Sequence, residues 1–245
     1  MRIGFTIIFN GLHHLLHNNY AEELVNMLDY WVVVEGAAGN IGSTRWCKSM
    51  PEKYHKNGSS VDGTVEYFSK MKEHNLVILA SGGKGMWDSK DTMVNAAIDH
   101  INQHITKEAF LWQIDCDELW SPEAMDEAEK QLDGDTGMFL ADYYVGKNLM
   151  AKDRRPYKRL WRWKGQAFTS HEPPLLEGGN GKEVLLPQRF NHYAYYYEKD
   201  VQFKNDWYGG HAGIYKRWLE LQKETEFPQP LSRLLPHKTG EICRI

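Results

Sequence analysis

Ala109-Phe-Leu-Trp-Gln-Ile-Asp-Cys-Asp-Glu118 is the stretch on which the reading of this 245-residue chain turns. Ala109 to Ile114 is apolar except for Gln113 and reads as a buried strand. It runs straight into Asp115, Asp117 and Glu118. In extended backbone, residues two apart point the same way. Asp115 and Asp117 are therefore expected to aim at one spot beyond the strand end. Oxygen ligands there suit Mg²⁺ or Mn²⁺, which would also hold a diphosphate. The plainer reading is that these carboxylates only lead into the helix signalled by Ser121-Pro122.

Upstream, Ile3-Gly-Phe-Thr-Ile-Ile-Phe9 reads as another buried strand, closed by Asn10-Gly11. Leu15, Leu16, Tyr20, Leu24, Met27 and Leu28 recur near the helical period. Trp31 to Val34 is a second strand, stopping at Glu35-Gly36, and a loop of Gly and small residues runs to Thr44. Asn75 to Leu79 is a third strand, followed by the turn Ser81 to Gly85. Asp88 to Ile105 is a helix, capped by Asp88 or Ser89, with Met93, Val94, Ala97, Ile98 and Ile101 on its apolar face. Strands alternating with helices predict a parallel sheet, with ligands off the carboxyl ends of its strands. After Gly137 the segments are short and aromatic. They predict antiparallel strands at one edge of the sheet, then a helix near Tyr215 to Lys223. The expected class is α/β: a mainly parallel sheet flanked by helices, with a C-terminal antiparallel, aromatic-rich extension.

Composition bounds the function. Hydrophobic residues at 42% and charged residues at 25% are ordinary for a globular protein. A formal net charge of -4 makes no electrostatic footprint for nucleic acid or an anionic membrane. Cys47, Cys116 and Cys243 form neither a disulfide framework nor a zinc pattern, and reduced thiols in a cytoplasmic protein are the simplest account. No apolar run approaches the length of a membrane span. The Trp and Tyr content suits sugar stacking, although core packing explains most such residues in most proteins.

The order of motifs resembles the GT-A-type glycosyltransferases, in particular the family-2-like group. The matching segments are Phe5 to Asn10, Val32 to Glu35, Lys90 to Asn95, Ile114 to Glu118, Tyr157 to Gly165 with His171-Glu172, and Asn191 to Tyr195. Glu35 stands where Asp is commoner. The resemblance implies a single GT-A-like domain over 1–245, with a nucleotide-sugar-binding half (1–136) and an acceptor-side half (137–245). It implies an inverting, metal-dependent glycosyltransferase using Mn²⁺ or Mg²⁺. The donor is a nucleotide sugar, and the acceptor is a glycan, small molecule, protein or modified nucleic acid.

By the same resemblance, Asp117 contacts the metal and Asp115 holds metal or ribose, with His192 a further ligand. Phe9, Asn10, Glu35, Lys90, Asn95, Asp115 and Arg159 serve the donor. Glu172 is the candidate base, because direct displacement needs a carboxylate to take the acceptor proton. His171 is its alternative, or a metal ligand. Glu118 either orients the acceptor or begins the helix. Arg162 is a further cation for the diphosphate and His211 a further metal or phosphate contact. His13 and His17 stand four residues apart, where an exposed helix face is the plainer account than a metal pair. Two other classes remain in view. A metal-dependent nucleotidyltransferase would need a basic, Gly-rich loop after the first strand, where this chain has Gly11-Leu-His-His-Leu-Leu-His17. A non-catalytic carbohydrate-binding module would leave the carboxylates without a purpose.

Overall fold

The computed structural model describes residues 1–39, 51–81, 85–208 and 210–245. In chain order the elements are β1 (Arg2–Ile8), α1 (Leu12–Leu15), α2 (Tyr20–Met27), β2 (Tyr30–Glu35), α3 (Thr64–Lys70), β3 (Leu76–Ala80), α4 (Lys90–His104), β4 (Ala109–Gln113), β5 (Glu118–Leu119), α5 (Pro122–Gln131), β6 (Thr136–Val145) and β7 (Leu149–Asp153). There follow β8 (Tyr157–Trp163), β9 (Phe168–His171), β10 (Pro174–Leu176), β11 (Glu183–Tyr195), α6 (Glu198–Trp207), α7 (Ile214–Lys223), β12 (Gln229–Pro230) and β13 (Gly240–Arg244).

The chain gathers into two compact units. The first holds Met1–Cys116, Leu132–Gly137 and Lys158–Val184; the second holds Asp117–Gln131, Met138–Tyr157 and Leu185–Ile245. The units interleave along the sequence, whereas the expected halves met at residue 136.

In the first unit the strand order is β8-β4-β1-β2-β3. β1 is parallel to β2 and β4, β2 is parallel to β3, and β8 runs antiparallel to β4. A parallel sheet buries both faces, which is why β1 and β2 read as near-continuous apolar runs. Ile3, Phe5, Val32 and Val34 share a core with Met93, Val94, Ala97, Ile98 and Ile101 of α4. Alternate residues face the other way. There Trp31 meets Phe68 of α3 edge-on at 5.7 Å, and its indole N–H donates to Thr6 Oγ1 at 3.0 Å. α4 begins after Ser89, whose Oγ accepts the Thr92 N–H at 3.0 Å.

The helical pattern from Leu15 to Leu28 does not make one helix. Asn18 and Asn19 take positive φ of 53° and 59°, a conformation Asn tolerates, and the chain breaks into α1 and α2. His17 lies beyond the end of α1, so His13 and His17 do not share a helix face. The expectations for the loop to Thr44 and the turn Ser81 to Gly85 fall partly outside the described residues, and Cys47 lies wholly outside them.

The second unit is antiparallel. β12, β13, β7 and β6 are consecutive neighbours, and β11 pairs with β5 and β6. β6 and β11 are long strands, where short segments were expected. α7 matches the helix expected near Tyr215 to Lys223, whereas α3 and α6 were not anticipated. Trp120 stacks on Phe190 at 4.8 Å and meets Phe139 edge-on at 4.8 Å. Among the described residues, no helix is long and apolar enough to cross a membrane.

The Thr6–Trp31 bond lies in a fully buried layer. Thr6→Val keeps the shape of the side chain but leaves the indole N–H without its acceptor, at a cost of about 1–3 kcal/mol. Urea unfolding should show a lower midpoint with an unchanged slope; an unchanged midpoint would show that the bond contributes nothing.

Candidate functional site

From β1 the chain builds outward through β2 to β3, then returns to place β4 on the opposite side of β1. The junction of β1 and β4 is therefore a topological switch point, the kind of place at the carboxyl ends of strands where open α/β sheets commonly take ligands. The loop after β1 carries Phe9, Asn10 and Gly11; the loop after β4 carries Ile114, Asp115 and Cys116. The two loops touch. A Cβ on Gly11 would lie 2.7 Å from Cys116 Sγ and 3.2 Å from Ile8 Cγ1, so a larger residue there would force these side chains to shift.

Asp115 lies just beyond β4. Arg159 Nη2 contacts its Oδ2 at 3.3 Å, and Gln113 Nε2 lies 3.4 Å from its Oδ1. Arg159 comes from β8 beside β4 and is almost wholly buried. His171, at the end of β9, is also buried, and its backbone N–H donates to Asp91 Oδ1 at 2.7 Å. Burial pushes the His171 imidazole down to about 3, assisted by the charges of Lys90 and Arg159 and opposed by Asp115 and Asp91. The side chain is thus neutral at ordinary pH. Its Nδ1 is buried with no hydrogen-bond partner among the described residues.

Asn95, expected to serve the donor, brackets β9 instead. Its Nδ2 donates to Phe168 O at 2.8 Å, and its Oδ1 accepts the Phe168 N–H at 2.9 Å. It therefore ties α4 to the strand that carries His171. Asn10 is likewise engaged by backbone. It donates to Tyr54 O at 2.7 Å and accepts the Val61 N–H at 2.8 Å, while its own N–H donates to Ser60 Oγ at 2.9 Å. Glu35 is buried at the end of β2, where Oε1 accepts the Ser60 N–H at 2.6 Å. Its Oε2 has no hydrogen-bond partner among the described residues. Burial raises the Glu35 carboxyl, against the lowering effect of the Ser60 hydrogen bonds. Phe9 is buried. Arg162 donates to Gly134 O at 3.1 Å and Leu132 O at 2.7 Å, which makes it a brace for the backbone.

β4 ends at Gln113, and the chain turns at Cys116 and Asp117, so the extended geometry expected for the two carboxylates is not present. In the second unit, Asp117 has its own partners. His192 Nε2 lies 3.6 Å from Oδ1, and Lys204 Nζ lies 3.8 Å from Oδ2. Carboxylate oxygen and imidazole nitrogen form a donor pair suited to Mn²⁺, and a dication there would share the carboxylate with Lys204. Glu118 is fully buried in β5, paired in register with His192, and neither begins a helix nor meets solvent. His211 packs against Tyr208 and lies 3.3 Å from the Tyr195 hydroxyl.

The first unit thus brings together Lys90, Asp115, Arg159 and His171, and the second brings together Asp117 and His192. Glu172 lies exposed in the turn between β9 and β10, one residue beyond buried His171. Sequence reading missed Lys204; its place on an unanticipated helix, far from Asp117 along the chain, left no local signal. Compared with known proteins, the chain matches no protein-family model and no curated protein.

The folded His171 titrates at about 3, against 6.5 for a free imidazole. Unfolding therefore takes up a proton between those values. The stability gained by keeping His171 neutral is complete above about pH 6.5 and is lost as pH falls toward 3, at up to about 1.4 kcal/mol per pH unit. Urea unfolding from pH 7 to pH 4 should show a steeper loss for the wild type than for His171→Asn; equal slopes would assign the loss to another group.

Proposed function

We propose that this chain is a metal-dependent glycosyltransferase of the GT-A type, moving a sugar from a nucleotide-sugar donor to an acceptor hydroxyl with inversion. The observation that carries this reading is the switch point between β1 and β4, with Asp115 just beyond β4 in contact with Arg159 and both acting on the charge state of His171. A switch point of this kind is where open α/β sheets take nucleotides. Lys90 and Arg159 supply positive charge for the diphosphate, and Asp115 contacts ribose or metal. Asp117, separated from Asp115 only by Cys116, holds Mn²⁺ or Mg²⁺ together with His192. When bound, the ion neutralises charge developing on the leaving diphosphate.

The acid–base roles follow from the environments. A general base works best with a pKa near the working pH. His171, held at about 3, is a poor proton acceptor but still offers an N–H for hydrogen bonding. Glu172 is solvent-exposed in the turn that follows β9, and we assign it the base. Fully buried Glu118 is not a second candidate.

A nucleoside-diphosphate-sugar panel with Mn²⁺ should raise the melting temperature for the true donor, since ligand bound only by the native state stabilises it by mass action. Asp117→Asn should abolish that shift while keeping the unliganded melting temperature. Glu172→Gln should retain the shift and lower turnover by about 10²–10⁴-fold. A donor shift that persists without metal and in Asp117→Asn would overturn the metal assignment. A product of retained anomeric configuration would overturn direct displacement.

A further inference from the structure

A ligating or proton-handling imidazole is ordinarily oriented by a hydrogen bond on its second ring nitrogen. His192 lacks that device. Its Nε2 faces Asp117 Oδ1 at 3.6 Å, and its Nδ1 is buried with no hydrogen-bond partner among the described residues. Ring packing sets its orientation instead. Tyr143 lies tilted against it with centroids 4.6 Å apart, Phe190 stands at 5.9 Å, and Tyr157 meets it edge-on at 6.1 Å.

Both tyrosines are tied at their hydroxyls to one cation. Lys238 Nζ donates to Tyr143 OH at 2.8 Å and also to Tyr157 OH and Asp153 Oδ2. The two hydroxyls bond each other. The ammonium lies over both rings, 4.8 Å from the Tyr143 centroid and 5.0 Å from that of Tyr157. Asp153 is buried, and its Oδ1 accepts the Arg155 N–H at 3.1 Å. A buried polar network with its groups satisfied is rigid. Lys238 enters it from the loop before β13, remote in sequence from the tyrosines it fixes.

We propose that Lys238 is a positioning residue for His192. Anchored on Asp153, it locks the Tyr143–Tyr157 pair whose rings hold the imidazole against Asp117. The geometric part stands on the packing alone; its consequence for metal affinity rests on the reading of Asp117 and His192 as ligands.

The test uses the full chain without metal, following the His192 ring protons by NMR, assigned through their loss in His192→Gln. In the wild type the Tyr143 ring current should displace them from ordinary histidine positions. Lys238→Met strands the Asp153 charge and can unfold the chain. The double variant Lys238→Met/Asp153→Asn removes both charges together, and Tyr143→Phe keeps the ring while deleting the hydroxyl. In either variant, with amide dispersion retained, the His192 signals should move toward ordinary positions and broaden. Calorimetry with Mn²⁺ alone should then show roughly 10–100-fold weaker binding, the size of effect expected of groups that orient a ligand. Unmoved His192 signals in the folded double variant would overturn the proposal. So would wild-type Mn²⁺ affinity in that variant if Asp117→Asn loses binding. Moved signals with wild-type Mn²⁺ binding in Asp117→Asn would uphold the positioning role and remove the metal reading.

Discussion

Backbone hydrogen bonding between β1 and its two parallel neighbours is the constraint from which the candidate site descends. Parallel pairing puts the carboxyl ends of β4, β1, β2 and β3 at one edge of the sheet. The reversal of strand order at β1 makes a switch point there. Glu35 is the last residue of β2, and Asn10 and Asp115 each lie two residues beyond the ends of β1 and β4, so their placement comes from topology before any side-chain chemistry. Antiparallel β8 then brings Arg159 beside Asp115.

The electrostatics around that edge follow from burial. Desolvation lowers the His171 ring, the cations Lys90 and Arg159 act in the same direction, and the carboxylates Asp115 and Asp91 oppose it without offsetting it. The imidazole stays uncharged, while Glu172, the next residue, is exposed. Adjacent positions thus divide into a buried neutral imidazole and a solvent-exposed carboxylate. In the second unit the opposite solution is found. Buried Asp153 is paired with half-buried Lys238, which is tolerable because hydroxyl and backbone groups satisfy them.

Features carried by local pattern were legible in the sequence. β1, β2 and β4 showed as short apolar runs, and the caps of α4 and α5 showed as Ser89 and Ser121-Pro122, because each signal lies within a few residues. Features made by long-range contact were not. Asn95 has the same local appearance whether it holds a donor or Phe168, and only the fold decides. The turn at Cys116 and Asp117 defeats the period-two argument because strand pairing ends at Gln113. α6 is mostly polar, so the helix that delivers Lys204 to Asp117 gave no apolar stripe to read. The tyrosine lock on His192 depends on Lys238, which no local pattern connects to Tyr143.

The contact between Gly11 and Cys116 has a bearing on how these loops can change over time. The two loops meet closely enough that a methyl added at position 11 would press on Cys116 Sγ and Ile8 Cγ1, which would have to move. Steric neighbours of this kind are energetically coupled, and their substitutions do not add. Bulk gained at position 11 is therefore coupled to what the side chains at positions 8 and 116 can yield, and substitutions at these three positions are expected not to add.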